Sequence, residues 1–119
     1  FYKAFAECNL SAMDAVWSDA NVICIHPGSM VLIGRESVMR SWSNIFTNAE
    51  PPSLKVEVIS RTVHDKFALH VVAEHIKPVT GLPEQSSIVL ATNVYCLDAN
   101  GWRLLEHHAS IANIRQTTH

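Results

Sequence analysis

His26 closes an apolar, β-branched run, residues 21–26, that Pro27-Gly28 stops. A histidine at the end of a buried strand, facing an apolar cavity, has its charged form disfavoured and can serve as a neutral base near pH 7. The competing role is a partly buried histidine that hydrogen-bonds a neighbouring loop and does no chemistry. Asn93 lies within a second apolar run, with Ala91 and Tyr95 on its own parity. A buried amide needs partners. It either donates to a carbonyl or oxyanion in a pocket, or makes a structural bond to His26 or to neighbouring backbone. His107 and His108 are adjacent, so on a strand their side chains leave opposite faces and cannot chelate one metal together.

The remaining candidates carry weaker signals. His64 and His70 flank a tight turn and, with His75, are expected in solvent, with no spacing that resembles a metal-ligand set. Arg35, in Gly34-Arg35-Glu36, opens a helix and is expected at the surface rather than as an anion clamp. Trp17, Trp42 and Trp102 fit the core by helical spacing or strand alternation. Cys8, Cys24 and Cys96 are odd in number, widely spaced and set among apolar neighbours, against both a disulfide framework and a zinc site. Neither a glycine-rich phosphate loop nor a Gly-x-Ser-x-Gly elbow occurs, and no cofactor is implied.

The elements that must position these residues follow from periodicity. Phe1, Ala4, Phe5 and Cys8 form one helical stripe ending near Asn9, and the chain is expected to begin part-way into this first helix. Ser11 with Asp14 reads as a capping-box variant before a short second helix carrying Met13, Val16 and Trp17. Strands are predicted at Asn21–His26 and Met30–Ile33, then a third helix carrying Val38, Trp42, Ile45 and Phe46 until Pro51-Pro52. Two hairpins complete the chain: Leu54–His64 with Phe67–Lys77, then, after a Pro/Gly loop at 78–84, Ser86–Leu97 with Trp102–Ile114. The strand Ser86–Leu97 is apolar on both faces, so a partner subunit is expected to cover the side the helices do not.

The chain has 119 residues, 48% of them hydrophobic and 17% charged, with formal net charge −2. That length and composition predict one globular domain over residues 1–119, and the run of strands with helices gathered on one face predicts an α+β fold. The charge offers no field for phosphate backbones or anionic lipid, and no run approaches the roughly 18 apolar residues of a spanning helix. Neither nucleic acid nor a membrane is an expected partner. Three unpaired thiols suit a reducing cytoplasm.

The string Asn9-Leu10-Ser11-Ala12-Met13-Asp14-Ala15-Val16-Trp17-Ser18-Asp19 resembles the opening of the nuclear-transport-factor-2-like, or SnoaL-like, superfamily. So do Ile25-His26-Pro27-Gly28, Ile33-Gly34-Arg35-Glu36-Ser37-Val38, and the closing Gly101-Trp102-Arg103 with His107-His108-Ala109-Ser110. The resemblance covers essentially the whole chain. It implies a curved mixed, mainly antiparallel sheet of about six strands, with three helices of the N-terminal half completing a cone around a pocket. Laid beside the ketosteroid isomerase branch, the general-base aspartate falls on His26, the protonated aspartate on Asn93, and the oxyanion-hole tyrosine on or beside Phe1, with Tyr2 one step away. Both carboxyl groups of that isomerase are thus replaced here.

Counting alternation from the same alignment turns Glu106, His108 and Ser110 inward. His108 then meets His26 across the cavity, with Glu106 able to orient either histidine; a bulge would swap the parity and admit His107 instead. The catalytic candidates are therefore His26, Asn93 and His108. The expected pocket walls are Phe1, Tyr2, Phe5, Trp17, Trp42, Val71, Ala91, Tyr95, Glu106 and Ser110. Fold does not settle function in this superfamily, and two classes follow. One is a binder or enzyme for a small apolar or carbonyl-containing metabolite, an isomerase, cyclase, dehydratase or hydrolase with His26 as base. The other is a non-catalytic homodimerisation or oligomerisation module, since the closing pattern also resembles the association domain of calcium/calmodulin-dependent kinases.

Overall fold

Helix formation at the N-terminus is settled by caps rather than by length. In the computed structural model, which describes residues 1–48, 50–77 and 87–112, α1 spans Tyr2–Ala6 and α2 spans Leu10–Val16. Between them Cys8 takes a left-handed conformation, φ 50°. The Cys8 and Asn9 amides donate back to the Phe5 and Ala4 carbonyls, the paired reverse bonds of a Schellman stop. Asn9 then caps α2, its side chain accepting from the Ala12 amide at 3.0 Å. The expected capping pair Ser11–Asp14 is therefore replaced by a cap two residues earlier, and Asp14 does other work. The Arg35 guanidinium donates to the carbonyls of Trp17 and Ser18 at 2.8 and 3.0 Å, and also meets the Asp14 carbonyl and carboxylate. Arg35 thereby closes the C-terminal end of α2, where unpaired carbonyls favour a cation.

The short strands β1 (Ile23–Ile25) and β2 (Leu32–Ile33) are narrower than their apolar runs predict. Gly34, at φ 93°, makes the turn into α3, Arg35–Asn48, a conformation that a side chain would strain. Its amide donates to the Val22 carbonyl and its carbonyl accepts from Val38, so one residue ends the hairpin and starts the helix. The long strands β3 (Ser53–His64), β4 (Phe67–Lys77), β5 (Ser87–Asp98) and β6 (Gly101–Ile111) follow. The anticipated loop at 78–84 and the end of the last strand, residues 113–114, lie outside the described residues.

The six strands make one sheet in the order β2-β1-β6-β5-β4-β3, antiparallel throughout except where β1 runs parallel to β6. The fold is thus the α+β cone expected: a mixed, mainly antiparallel sheet with three helices on one face. Two register breaks bend it, one between Val58 and Ser60 in β3 and one opposite Val94/Tyr95 that leaves Leu105 of β6 extra. On the covered face Met13, Trp17, Val22, Cys24, Val38, Trp42 and Leu104 form the main core, all essentially without exposure. A second cluster, Val72, Val89, Ala91 and Ala109, continues along the same face under Tyr2. Trp102, 45% exposed, is not part of either, in contrast to the expectation from alternation: it stands at the start of β6, beyond the helices' reach. No described helix is long and apolar enough to cross a membrane.

Candidate functional site

Alternation along β4 places Ala68, His70, Val72, Glu74 and Ile76 on the covered face, and along β5 it places Val89, Ala91, Asn93 and Tyr95 there. β6 follows suit only because of its bulge. Leu104 faces the core beside Tyr95; the extra residue Leu105 then shifts the parity, so that His107 and Ala109 face inward opposite Asn93 and Ala91. His107 is 2% exposed, whereas His108 and Ser110 are exposed on the other face and Glu106 lies beside them on that parity. The inward placement of Glu106, His108 and Ser110 is therefore overturned by one extra residue. Val71 also points away from the helices, and Val72 takes its place inside.

Four side chains distant in sequence join beneath α1. Asn93 Nδ2 donates to the Tyr2 hydroxyl at 2.9 Å, and that hydroxyl donates to Glu74 Oε2 at 2.6 Å. Asn93 Oδ1 lies 2.5 Å from His107 Nδ1. An amide oxygen only accepts, so His107 carries its proton on Nδ1 and presents a lone pair at Nε2. That Nε2 is 4.0 Å from Glu74 Oε2. Asn93 and Glu74 are 0% and 2% exposed, so the chain of bonds satisfies groups that could not stay buried alone.

Burial sets the charge states. Desolvation pulls His107 down to about 3, helped by the neighbouring His26 and His108. It pushes the Glu74 carboxyl above its ordinary range, against the Tyr2 hydrogen bond that pulls it down. The His107 imidazole is consequently neutral at pH 7, and burial disfavours the ionised form of the Glu74 carboxyl beside it. Tyr2 is raised by burial and then by Glu74. The Cys24 thiol is pushed up to about 12, mainly by burial, and stays protonated, which removes it as a nucleophile.

Parallel pairing of β1 with β6, Cys24 opposite His107, carries His26 to the same place. The His26 ring meets the Trp42 ring edge-on at 4.9 Å, and its Nε2 lies 2.7 Å from the Ser41 hydroxyl of α3. Burial lowers its pKa, so it is neutral at pH 7. His26, Glu74 and His107 then face one cavity of about 190 Å³ walled by Phe5, Pro27, Trp42, Ile45, Ile76 and Ala109. The indole N–H of Trp42 is buried without a hydrogen-bond partner. A larger hollow of about 570 Å³ adjoins this cavity, sharing Ile76 with it and lined also by Lys55, His75, Lys77 and Ile111. No buried titratable group faces it, so the smaller cavity is the candidate site.

The expected residues distribute as follows. His26, Phe5 and Trp42 line the cavity; Phe1 packs on the His107 ring at 4.8 Å; Tyr2 and Asn93 hold Glu74 and His107 from behind. Ala91 is buried alongside in the second cluster. Trp17 lies wholly in the core rather than in the wall, and Tyr95 packs on His70, ring centroids 4.9 Å apart, in a separate cleft with Val63 and Trp102. Besides the apolar wall residues Pro27, Ile45, Ile76 and Ala109, two polar residues of the site were missed. Glu74 breaks the apolar parity of β4 just as Asn93 breaks that of β5, so the same signal marks it. Ser41 interrupts the stripe of Val38, Trp42 and Ile45, a polar residue on a buried helix face. Among the described residues no group of three or more His, Cys, Asp and Glu is placed to hold a metal ion.

With this geometry in hand, comparison with known proteins is specific. A family model described as a SnoaL-like domain matches residues 1–114. A structure from Thiobacillus denitrificans, provisionally named a calcium/calmodulin-dependent protein kinase type II association domain, is 35% identical over 95% of this chain and 90% of its own, with TM-score 0.87. A provisionally named dehydratase of the nuclear-transport-factor-2-like family from Streptomyces avermitilis is 30% identical over 94% and 88%, TM-score 0.84. A Parabacteroides distasonis protein, provisionally named a ketosteroid isomerase, shares the fold at 16% identity over 95% and 83%, TM-score 0.75. No curated protein matches. The match across nearly the entire chain, together with the cone of six strands and three helices, shows that the chain belongs to the SnoaL-like family of the nuclear-transport-factor-2-like superfamily.

Proposed function

We propose that the chain binds a small, uncharged, carbonyl-containing metabolite and catalyses proton transfer on it, with His26 as the base. The observation that carries this reading is the convergence of two neutral imidazoles and a carboxyl whose proton affinity burial raises on one apolar cavity. Groups with opposed proton affinities in one desolvated site are what acid–base chemistry near neutral pH requires. Ser41 orients the His26 ring, and Glu74 supplies or recovers a proton on the other wall. An anionic ligand would lose its hydration with no lysine or arginine among the lining residues to offset the loss. The provisional dehydratase name of the Streptomyces relative is compatible with this chemistry. His26→Ala is expected to abolish turnover and to weaken ligand binding across a panel of small ketones and hydroxy ketones. Unchanged binding and turnover in that variant would end the proposal.

A second reading, self-association, has its own support. Phe67, Leu69 and Leu90 stand exposed on the sheet face away from the helices, and the Thiobacillus relative is named for an association domain. Light scattering is expected to give a homodimer or larger assembly; a monomer at working concentrations would exclude a purely assembling role. A dimer built on that face leaves the cavity untouched, so the two roles are compatible.

A further inference from the structure

The cleft in which Tyr95 packs on His70 is a hollow of about 430 Å³, lined by Val63, Ala68, His70, Tyr95 and Trp102, all from strands. Its size falls within the about 300–1,000 Å³ of small-molecule sites. Among the described residues it shares no lining residue with the cavity around His26.

The shape of this cleft follows from strand register. Val63, Ala68 and Tyr95 lie side by side across β3, β4 and β5. A methyl group between a valine and a tyrosine leaves a slot, because the two flanking strands are two spacings, roughly 9.6 Å, apart. An aromatic ring needs about 7 Å between the surfaces it touches, at about 3.5 Å on each side. Such a slot admits a flat ring over Ala68 more readily than a globular hydrocarbon. Trp102 supplies a further aromatic surface from β6, where it pairs with Leu97. Its indole is exposed, whereas Trp17 and Trp42 are buried. An indole left in water at the rim of an apolar hollow has stacking surface to offer a ligand.

The polar end of the slot is set by Arg61 and His70, paired in register two residues along from Val63 and Ala68. Burial, and then the charge of Arg61, lowers the His70 pKa, so the imidazole is neutral at pH 7 and the guanidinium stands near it. Among the described residues no carboxylate forms a salt bridge with Arg61. A guanidinium without a protein counter-ion matches the planar fork of a ligand carboxylate.

We infer that this cleft is a second ligand site, for a flat aromatic carboxylate whose ring enters between Val63 and Tyr95 beside Trp102 and whose carboxylate pairs with Arg61. The site stands independently of the acid–base reading of the His26 cavity.

Three probes test it: 2-naphthoate, the neutral 2-naphthalenemethanol of nearly the same shape, and adamantane-1-carboxylate, an acid that is not flat. Each is titrated into the full chain at pH 7 and followed by NMR at the Trp102 indole and at the Val63, Ala68 and Tyr95 amides. 2-Naphthoate is expected to give saturable shifts there and to leave the Trp42 indole unmoved. The alcohol, which lacks the charge, and the adamantane acid, which lacks the flat ring, should each bind at least about threefold more weakly. Arg61→Gln should bring 2-naphthoate and the alcohol to within about twofold of each other. Trp102→Ala, a change at an exposed position, should weaken 2-naphthoate by about three- to tenfold. Absence of a saturable shift at Trp102, or equal affinity of the three probes, would overturn the site. Trp102 shifts that follow protein concentration without ligand would assign the cleft to a second copy of the chain and overturn it as well.

Discussion

Tyr2→Phe removes one oxygen and tests whether the buried network exists. That oxygen sits 2.9 Å from Asn93 Nδ2 and 2.6 Å from Glu74 Oε2, and neither neighbour reaches solvent appreciably. The phenyl ring keeps the edge-on packing of Tyr2 against Phe1, centroids 4.8 Å apart, so little apolar contact is lost. What remains is an amide donor and a carboxyl each short of a partner. At about 1–3 kcal/mol for each group left unsatisfied, discounted because Tyr2 itself is half-buried, the expected loss is about 2–3 kcal/mol. Urea unfolding at pH 7 should show it as a lower midpoint with unchanged slope. A second consequence is specific to the network: the Tyr2 hydrogen bond holds the Glu74 pKa down, so its removal should move the Glu74 carboxyl titration to higher pH by carbon-detected NMR. In a Glu74→Leu background the effect of Tyr2→Phe should shrink, because one of the two orphaned groups is gone. A loss below about 0.5 kcal/mol, the range of ordinary surface changes, with an unmoved Glu74 titration, would refute the bond chain.

Three further outcomes follow from burial and capping. His107 titrates at about 3 when folded against 6.5 when unfolded, so the unfolded chain takes up a proton that the folded one refuses. Stability is full above pH 6.5 and falls as pH drops, by about 2 kcal/mol at pH 5. The raised pKa of Glu74 acts with the opposite sign, its contribution being lost as pH rises above its unfolded value of 4.5. Because Glu74 is common to both chains, urea midpoints from pH 7 to pH 5 should fall more steeply in the wild-type chain than in His107→Gln; parallel profiles of the two chains would contradict the burial of His107. Trp42→Ala, at a 1% exposed core position, should cost about 3–5 kcal/mol by thermal or urea melts, and Trp102→Ala, at a 45% exposed one, under about 1 kcal/mol. Asn9→Ala should cost about 1 kcal/mol by removing the bond to the Ala12 amide, whereas Ser11→Ala should be near neutral.

Most of the architecture was legible because it rests on local chemistry: helical stripes, the Pro27-Gly28 stop, the alternation of the two long hairpins. Asn93 was legible for the same reason, as a polar residue on an apolar parity. Glu74 carried an equal signal and went unread, since a carboxylate on a strand is ordinarily taken for its solvent face. Arg35 could not be read as the closure of α2, because that role depends on α3 returning beside α2 in space. The width of β1 was overestimated for a related reason. Only Ile23–Ile25 have a neighbour in β6 to pair with, although the apolar run is twice as long.

The exchange of His108 for His107 is a different kind of failure. Strand parity has two values, and counting from Leu104 in steps of two gives 106, 108 and 110 as inward. The count fails at Leu105 because the pairing slips there, from Tyr95 opposite Leu104 to Val94 opposite Glu106. The bulge thus separates two halves of one strand: Leu104 fills the core beside Tyr95, and beyond it His107 and Ala109 build the site against Asn93 and Ala91. No residue type at 104–106 announces the extra position, since Leu-Leu-Glu fits a regular strand equally well. The functional half of β6 is therefore specified from outside itself, by the buried amide of Asn93, whose oxygen accepts from the His107 imidazole. A regular strand would set Glu106 opposite Asn93 and His108 opposite Ala91, and would turn the His107 imidazole to the other face opposite Thr92 rather than bonding it in the interior.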